Sequence, residues 1–251
     1  ILSYNGYISF NDIASLIGIP DVRGLFRCVE TGDFNKDGYP DLALGNIGLN
    51  TSLKIGEKGK INLYLSDFDN NSFIDPIVFS NFFGINIPFA DKVSLQRQIP
   101  SIKKTFPSFQ KFGQISSIDD IRLEDEIMET KYINTLSSIV VLSHENGYII
   151  KSLPRECQIS NIQDFSWVQN SYGTGELFYV GNNRSNSHVL SQTLASRGGV
   201  LSGFDNKEIE FLSHESLPLP QGIVSRKIFS VNSDKFLVIN NSAVQYQIQR
   251  K

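Results

Sequence analysis

Acidic and amide side chains recur at alternate positions in the segment VETGDFNKDGYPDLALGNIGLN, residues 29–50. Positions one, three, five and nine of a D-x-N-x-D-G-x-x-D pattern are filled by Asp33, Asn35, Asp37 and Asp41. The backbone carbonyl of Tyr39 is available at position seven. Calcium takes about six to eight oxygen ligands at roughly 2.3–2.6 Å, and alternate residues of one tight loop can supply them. Gly38 follows the third ligand, where a sharp turn favours a left-handed backbone. The pattern predicts a calcium loop between two β-strands.

A second copy of this pattern lies in SDFDNNSFIDPIVF, residues 66–79. The ligand positions are filled by Asp67, Asp69, Asn71 and Asp75, with the carbonyl of Phe73 at position seven. Ser72 replaces the glycine, so this copy matches less well. Each loop gathers three carboxylates, and without a metal two such groups about 4 Å apart repel by roughly 4 kcal/mol at an effective dielectric constant of 20. We therefore expect two structural Ca²⁺ ions.

Two other interpretations of these loops are an EF-hand and a solvated turn without metal. An EF-hand begins with the same loop but needs a glutamate at position twelve and a helix on each side. Leu44 and Val78 occupy position twelve and cannot bind calcium, and the flanking segments are short apolar runs typical of strands. A solvated turn without metal stays open, because Asp, Asn and Gly dominate turns in any case.

The run V-x-x-G-D-F-N-x-D-G-x-x-D-L-x-x-G-N-x-G-x-N, residues 29–50, resembles a known family. It is similar to the FG-GAP or VCBS repeats of integrin α-subunit propellers and of many secreted bacterial proteins, especially bacterial members related to the ASPIC/UnbV group. The resemblance covers residues 23–80. It implies an all-β fold, a complete or partial β-propeller in which the aspartate loop joins two strands of a blade. It does not imply one activity, since this fold supports many.

Weaker repeats suggest further blades. NGYISFND at 5–12, NGYIIKSLP at 146–154 and NKEIEFLSH at 206–214 look like one recurring strand. The segment 163–183 keeps the opening Asp-Phe and the closing Gly-Asn but lacks the calcium ligands, and 234–251 reads as a last blade segment. We predict propeller blades with both calcium loops at 1–87 and degenerate blades at 137–251.

Residues 88–136 interrupt the strand pattern. Apolar residues at helical spacing among charges predict short helices, and Ser117 with Asp120 forms a plausible capping box. The segment would be either a lid on the propeller or a surface for a partner. Its basic half contains Lys92, Arg97, Lys103, Lys104 and Lys111. Its acidic half contains Asp119, Asp120, Glu124, Asp125, Glu126 and Glu129.

Composition narrows the partners and the compartment. A formal charge of −3 and a pI near 5.7 argue against a nucleic-acid surface, which is strongly basic. The sequence has no apolar run of about 18 residues to span a membrane. It starts at Ile1 and its only methionine is Met128, so we expect a piece of a longer product. Cys28 and Cys157 have no C-x-x-C partner, which favours two free thiols over a single disulfide.

No pattern of catalytic residues accompanies the loops. The three histidines are far apart, and neither a G-x-S-x-G elbow nor a phosphate-binding glycine loop is present. We therefore predict a non-enzymatic, calcium-stabilised binding or scaffold module, extracellular or in the cell envelope, with a protein or glycan partner and a place in a larger surface complex. The alternatives are an accessory domain of a glycan-active or lipid-active enzyme, and a lectin using Trp167, Tyr172 or Phe204, for which core packing is the simpler role.

Overall fold

The chain is mostly β-strand, as a computed structural model shows. It describes residues 20–56, 59–121, 127–169, 175–184, 192–206, 210–241 and 245–249, together with the backbone of 2–4 and 10–12. The chain divides into two compact units. The first unit comprises residues 1–51 and 136–251, and the inserted unit comprises residues 52–135. The prediction of an all-β fold is confirmed.

The described strands are, in chain order, β1 (Leu2–Tyr4), β2 (Phe10–Asp12), β3 (Cys28–Gly32), β4 (Asp41–Gly45), β5 (Ile61–Ser66), β6 (Asp75–Phe82), β7 (Ile85–Pro88), β8 (Glu129–Ile133), β9 (Ile139–His144), β10 (Gly147–Ser152), β11 (Ile162–Gln169), β12 (Gly175–Gly181), β13 (Gly199–Asp205), β14 (Glu210–Ser216), β15 (Ser225–Asn232), β16 (Lys235–Asn240) and β17 (Tyr246–Gln249). The described helices are α1 (Lys92–Gln98), α2 (Ile102–Thr105) and α3 (Phe109–Phe112). Single 3₁₀ turns cover Ile118–Asp120 and Arg155–Gln158.

Three antiparallel sheets build the first unit, in addition to the small β1-β2 pair. Sheet I has the order β10-β9-β4-β3, sheet II the order β11-β12-β13-β14, and sheet III the order β15-β16-β17. Sheet I is assembled across the insertion, because β4 ends before residues 52–135 and its neighbour β9 follows them. Its register pairs Leu44 with Ile139 and Leu42 with Val141.

Sheets I, II and III pack face to face in that order. Strand β12 shows why, since all seven of its residues are buried and its apolar run is continuous rather than alternating. Leu177 and Tyr179 join the core cluster shared with sheet I, whereas Phe178 and Val180 join the cluster shared with sheet III. The ring of Phe178 stacks on Phe236, with centroids 3.9 Å apart. Each such buried side chain contributes about 1.5–3 kcal/mol relative to an exposed one.

The inserted unit has its own sheet and core. Its strand order is β7-β6-β5-β8, and the helices α1 to α3 follow β7 in the chain. Its core cluster includes Phe68, Ile77, Phe79, Leu95 and Ile102. The side chain of Asp91 caps α1 by accepting a hydrogen bond from the backbone N–H of Ser94.

The inserted unit and the predicted helical segment have different bounds. The unit comprises residues 52–135, and it contains the second predicted calcium loop together with strands β5 to β8. Within 88–136 the helices and the capping box at Ser117 are present, but Glu129–Ile133 forms strand β8, which pairs with β5. Pairing covers an edge of β5 that would otherwise present unpaired backbone groups.

Some predicted segments lie partly outside the described residues. Of 5–12, only β2 is described, and Glu124, Asp125 and Glu126 are not described. The strands predicted at 146–154 and in the C-terminal segment are present as β10, β16 and β17. No helix in the described ranges is both long and apolar enough to cross a bilayer.

Candidate metal centre

The first predicted loop, residues 33–41, connects β3 to β4 through a tight turn. Asp33 accepts hydrogen bonds from the backbone N–H groups of Asp37 and Gly38, at 3.1 and 3.0 Å. Asp37 in turn accepts one from the N–H of Tyr39 at 2.9 Å. Phe34 is buried in the core of the first unit and anchors the loop.

The second predicted loop, residues 67–75, connects β5 to β6 with the same hydrogen bonds. Asp67 accepts from the N–H groups of Asn71 and Ser72, at 3.0 and 2.6 Å. Asn71 accepts from the N–H of Phe73 at 2.8 Å. Phe68 is the buried anchor, here in the core of the inserted unit. The two sequence patterns therefore encode one backbone turn, and the strands predicted on either side of each loop are present.

Two residues in each loop adopt a left-handed backbone at equivalent positions. Their φ angles are 59° at Lys36 and 90° at Gly38 in the first loop, and 58° at Asn70 and 70° at Ser72 in the second. Asparagine and glycine tolerate this conformation, whereas a serine pays a steric penalty of about 1–2 kcal/mol. The second loop holds its turn despite that strain at Ser72.

The carboxylates of the first loop are hydrogen-bonded within the protein. Asp41 is fully buried and accepts from the N–H of Phe34 at 2.8 Å and of Ser143 at 2.9 Å. Desolvation raises the pKa of Asp41 above its usual range despite these bonds. Asp37 Oδ2 lies 2.9 Å from Asn35 Nδ2 and 3.0 Å from a ring nitrogen of His144.

The second loop gathers its carboxylates more closely. Oxygens of Asp67, Asp69 and Asp75 lie within 4.8 Å of one another, and among the described residues only this group of three acids meets that criterion. Oδ1 of Asp69 and Oδ2 of Asp75 are buried without a hydrogen-bond partner. Asp75 is only 6% exposed. Desolvation raises the pKa of Asp75, and the nearby carboxylates of Asp69 and Asp67 raise it further.

A divalent cation fits this donor set. A buried carboxylate oxygen without a partner costs free energy, and a cation placed among the three acids would remove both that cost and their mutual repulsion. Asp67, Asp69 and Asp75 would supply carboxylate oxygens, with Asn71 and the Phe73 carbonyl completing the predicted ligand set. The Phe73 side chain is 75% exposed, which agrees with a role for its backbone alone. Hard oxygen donors of this kind select calcium or magnesium over softer metals.

The predicted ligands of the two loops thus differ in their surroundings. It brings Asp67, Asp69 and Asp75 together with unsatisfied oxygens, whereas Asp33, Asp37 and Asp41 form no comparable group and are bound by backbone donors. Calcium in the first loop stays a prediction. Sequence reasoning missed Ser143 and His144, which contact the first loop from β9, and Gln98, whose side chain donates to the carbonyl of Pro76 next to Asp75. Their positions, far along the chain or on a helix, gave no signal in the loop pattern.

In segment 163–183, which lacks the predicted calcium ligands, Asp164 forms an ion pair. Asp164 Oδ1 lies 2.7 Å from the ammonium of Lys227, and Oδ2 accepts from the N–H of Ile228 at 3.0 Å. These bonds join sheet II to sheet III. The pKa of Lys227 is raised by its hydrogen bond to Asp164 and by that residue's charge. Asp164, the remnant of the loop signature, therefore connects two sheets.

Two of the aromatic residues that the lectin alternative names pack within the first unit. Trp167 packs edge-to-face on Phe34 with centroids 4.8 Å apart, and Phe204 packs on Phe211 at 5.3 Å. Both belong to the rim of the core between sheets I and II. Core packing is therefore confirmed for these two, and Tyr172 lies outside the described residues.

Both cysteines are free thiols, as the spacing favoured. Burial raises the pKa of Cys28 to about 12 and moves that of Cys157 above its usual range as well. Among the histidines, a ring nitrogen of His214 lies 2.8 Å from the Tyr179 hydroxyl. His188 is not among the described residues.

No family model matches this chain, and comparisons with curated proteins and with solved structures found no significant match.

Proposed function

We propose that this chain is a calcium-stabilised β-propeller module with a non-enzymatic binding or scaffold role. It would act outside the cell or in the cell envelope, where calcium is abundant enough to fill sites of modest affinity. Its partner would be a protein or a glycan. In this proposal calcium stabilises the fold and takes no part in a reaction.

The observation that carries the proposal is the pair of unpartnered, buried carboxylate oxygens on Asp69 and Asp75. Buried polar atoms in native proteins are nearly always satisfied, so an orphaned atom calls for an explanation such as an ion. Here two such atoms belong to two predicted ligands of one loop whose sequence pattern independently predicts calcium. A carboxylate engaged by a cation is a poor general base, which favours a structural over a catalytic role.

The stacking of the sheets supports a propeller. In the first unit, β11 packs against both β3 and β15, so the first strands of sheets I, II and III are neighbours. Sheet II runs as a simple antiparallel meander from β11 to β14. Radial repetition of such four-stranded meanders is what defines a propeller blade.

Buried asparagines that follow the second strand of a sheet give further support. Asn46 follows β4 and donates from its side chain to the carbonyl of Ser137 at 3.2 Å. Asn182 follows β12 and donates to the carbonyls of Ser196 and Ile223, at 2.6 and 2.7 Å. Both are almost fully buried, and each fixes the chain that leads to another strand. The Gly-Asn signature is thus a repeated structural device.

Calcium-dependent thermal unfolding tests the proposal. A ligand bound only to the native state at a hundred times its Kd stabilises by about 2.7 kcal/mol, which corresponds to roughly 5–10 °C for a protein of this size. We expect that difference between calcium and chelator for the unmodified protein. Asp75→Asn should abolish most of it, whereas Asp234→Asn, which removes an exposed carboxylate from the β15-β16 turn, should leave it intact. Identical melting curves with calcium and with chelator would overturn the calcium role.

A further inference from the structure

The outer edge of β17 has no strand partner within the described part of the chain. Sheets I and II each contain four strands, whereas sheet III contains three, with β17 paired to β16 alone. A free edge offers a row of backbone donors and acceptors to another extended chain. No described residue therefore occupies the position of a fourth strand in sheet III.

A groove lies beside this edge. It has a volume of about 450 Å³ and runs between the end of β17 and the face of sheet II. Its apolar surface comes from Phe178, Val200, Leu217, Phe236 and Ile248. All of these but Val200 are buried in the core between sheets II and III, so the groove continues that core outward. An apolar side chain entering here would extend packing that already exists.

The opposite face of sheet II shows what such a groove accepts. There, β10 is the fourth strand of sheet I, and its Ile149 packs against the cluster that contains Phe211 of β14. The remaining gap, about 280 Å³, is smaller and is lined in part by Leu153 and Phe211. A fourth strand thus fills on one side of sheet II the space that is open on the other.

The groove also carries charge. Glu176 and Glu215 line it, and its described lining includes no lysine or arginine. Glu215 is exposed on β14, at the rim. A cationic side chain on an entering strand would meet a negative surface, which favours a basic over an acidic partner.

We infer that this groove binds an extended segment of a partner polypeptide, which adds to β17 as the fourth strand of sheet III. The segment carries apolar residues at alternate positions, which enter the groove, and a lysine or arginine that pairs with Glu215. Backbone hydrogen bonds give affinity and the alternate side chains give specificity, as in other cases of strand addition. This inference goes beyond the calcium role and does not depend on it, because the metal loops contribute nothing to the groove.

A synthetic peptide tests the inference. The probe is fluorescein-labelled GYIIKSLP, the sequence of residues 147–154, because it contains β10, the fourth strand of sheet I, and carries isoleucine and lysine two residues apart. We expect saturable binding by fluorescence anisotropy with a Kd below about 1 mM, the weakest affinity that such a titration resolves. The same peptide with glutamate in place of lysine should bind about 5- to 10-fold more weakly, more than a single exposed ion pair gives because the charge is reversed.

Two protein variants locate the binding. Glu215→Lys should weaken the lysine peptide by a similar factor, whereas Glu210→Lys, a matched change on the same strand that lines the other gap, should not. Backbone amide NMR shifts should change in β13, β14 and β17. No saturation at about 1 mM, equal effects of the two variants, or shifts confined to other strands would overturn the inference.

Self-association is the remaining outcome. If sedimentation of the unmodified protein shows a dimer that the peptide does not dissociate, a second copy occupies the edge and the partner-peptide inference fails. Thermal melting with calcium is measured separately, so failure of this inference and failure of the calcium proposal are distinguishable.

Discussion

Single residues determine how many carboxylate oxygens of each loop have a hydrogen-bond partner. Asp75 is placed by the start of β6 and buried among two other carboxylates, and one of its oxygens has no partner. The equivalent Asp41 has both oxygens bonded to backbone N–H groups. The two loops share one sequence pattern but differ in how many carboxylate oxygens have hydrogen-bond partners, because residues outside the pattern differ.

Replacement of Ser72 by glycine should stabilise the protein. Ser72 has a φ of 70°, which glycine adopts without the steric cost that a side chain brings. We expect Ser72→Gly to add about 1 kcal/mol, or roughly 2–4 °C in melting temperature. Asn70→Gly is the control, because asparagine already tolerates a left-handed backbone and should gain less. A Ser72→Gly variant no more stable than Asn70→Gly would contradict the assignment of strain.

The thiol of Cys28 should react slowly. Burial raises its pKa to about 12, so almost none is thiolate at neutral pH. Allowing for the higher intrinsic nucleophilicity of a more basic thiolate, we expect alkylation by iodoacetamide at pH 8 about 100-fold slower than for a free thiol. The rate should rise nearly tenfold per pH unit up to pH 10. Mass spectrometry of the native protein, with urea-unfolded protein as the fast reference, measures the rate. Rapid native labelling would contradict the raised pKa of Cys28.

Elements set the geometry that the loops need. Each loop is a hairpin whose second residue, Phe34 or Phe68, is buried in a different core. The strands that carry the ligands are held by packing, and the turn is held by hydrogen bonds from backbone to the first aspartate. Packed strands and turn hydrogen bonds thus set the loop geometry, and a preorganised loop lowers the cost of ordering on binding.

Helix α1 offers a test at this scale. Asp91 caps it by accepting from the N–H and the hydroxyl of Ser94, both at 2.9 Å. We expect Asp91→Ala to cost about 1 kcal/mol and Asp91→Asn much less, since asparagine also caps well. The hydrogen bond from the Ser94 N–H lowers the pKa of Asp91 in the folded protein. The ionised cap therefore stabilises the fold above the pKa of Asp91 in the unfolded chain, and this stabilisation is lost as pH falls through the pKa in the folded protein. Urea unfolding at pH 7 and pH 3 measures both effects, and a pH-independent difference would contradict the ionised cap.

The sequence anticipated much of these elements and little of their assembly. Loop positions, flanking strands and the capping box at Ser117 follow from local patterns of turn residues and alternation. The boundary at residue 52 and the strand at 129–133 do not, because both depend on pairing between segments distant in sequence. The same reason explains why nothing in the loop pattern pointed to Ser143, His144 or Gln98.

At the scale of the whole molecule, the two loops belong to different compact units. The second loop lies in the inserted unit, and the first loop lies in the unit formed by residues 1–51 and 136–251. Calcium bound at the second loop would therefore stabilise mainly the core that contains Phe68, Ile77 and Phe79. In this proposal, a cation at the second loop would change the stability of the inserted unit without altering sheets I to III.

Hydrogen–deuterium exchange should reveal this difference. On chelation of calcium we expect exchange to rise in β5 and β6 by about tenfold or more, since loss of about 1.4 kcal/mol of stabilisation changes an opening equilibrium tenfold. Strands β11 and β12 should change less. Asp75→Asn, measured in calcium, should reproduce the chelated pattern. A uniform change over both units, or protection in β5 and β6 that is independent of calcium, would contradict separate stabilisation.

A crystal structure determined with calcium present, with an anomalous difference map, is the most direct test of a cation in the second loop. We predict a peak within about 2.3–2.6 Å of carboxylate oxygens from Asp69 and Asp75, the distance calcium takes to oxygen ligands. A map at millimolar calcium that shows no peak there, with these two carboxylates turned into solvent, would contradict it.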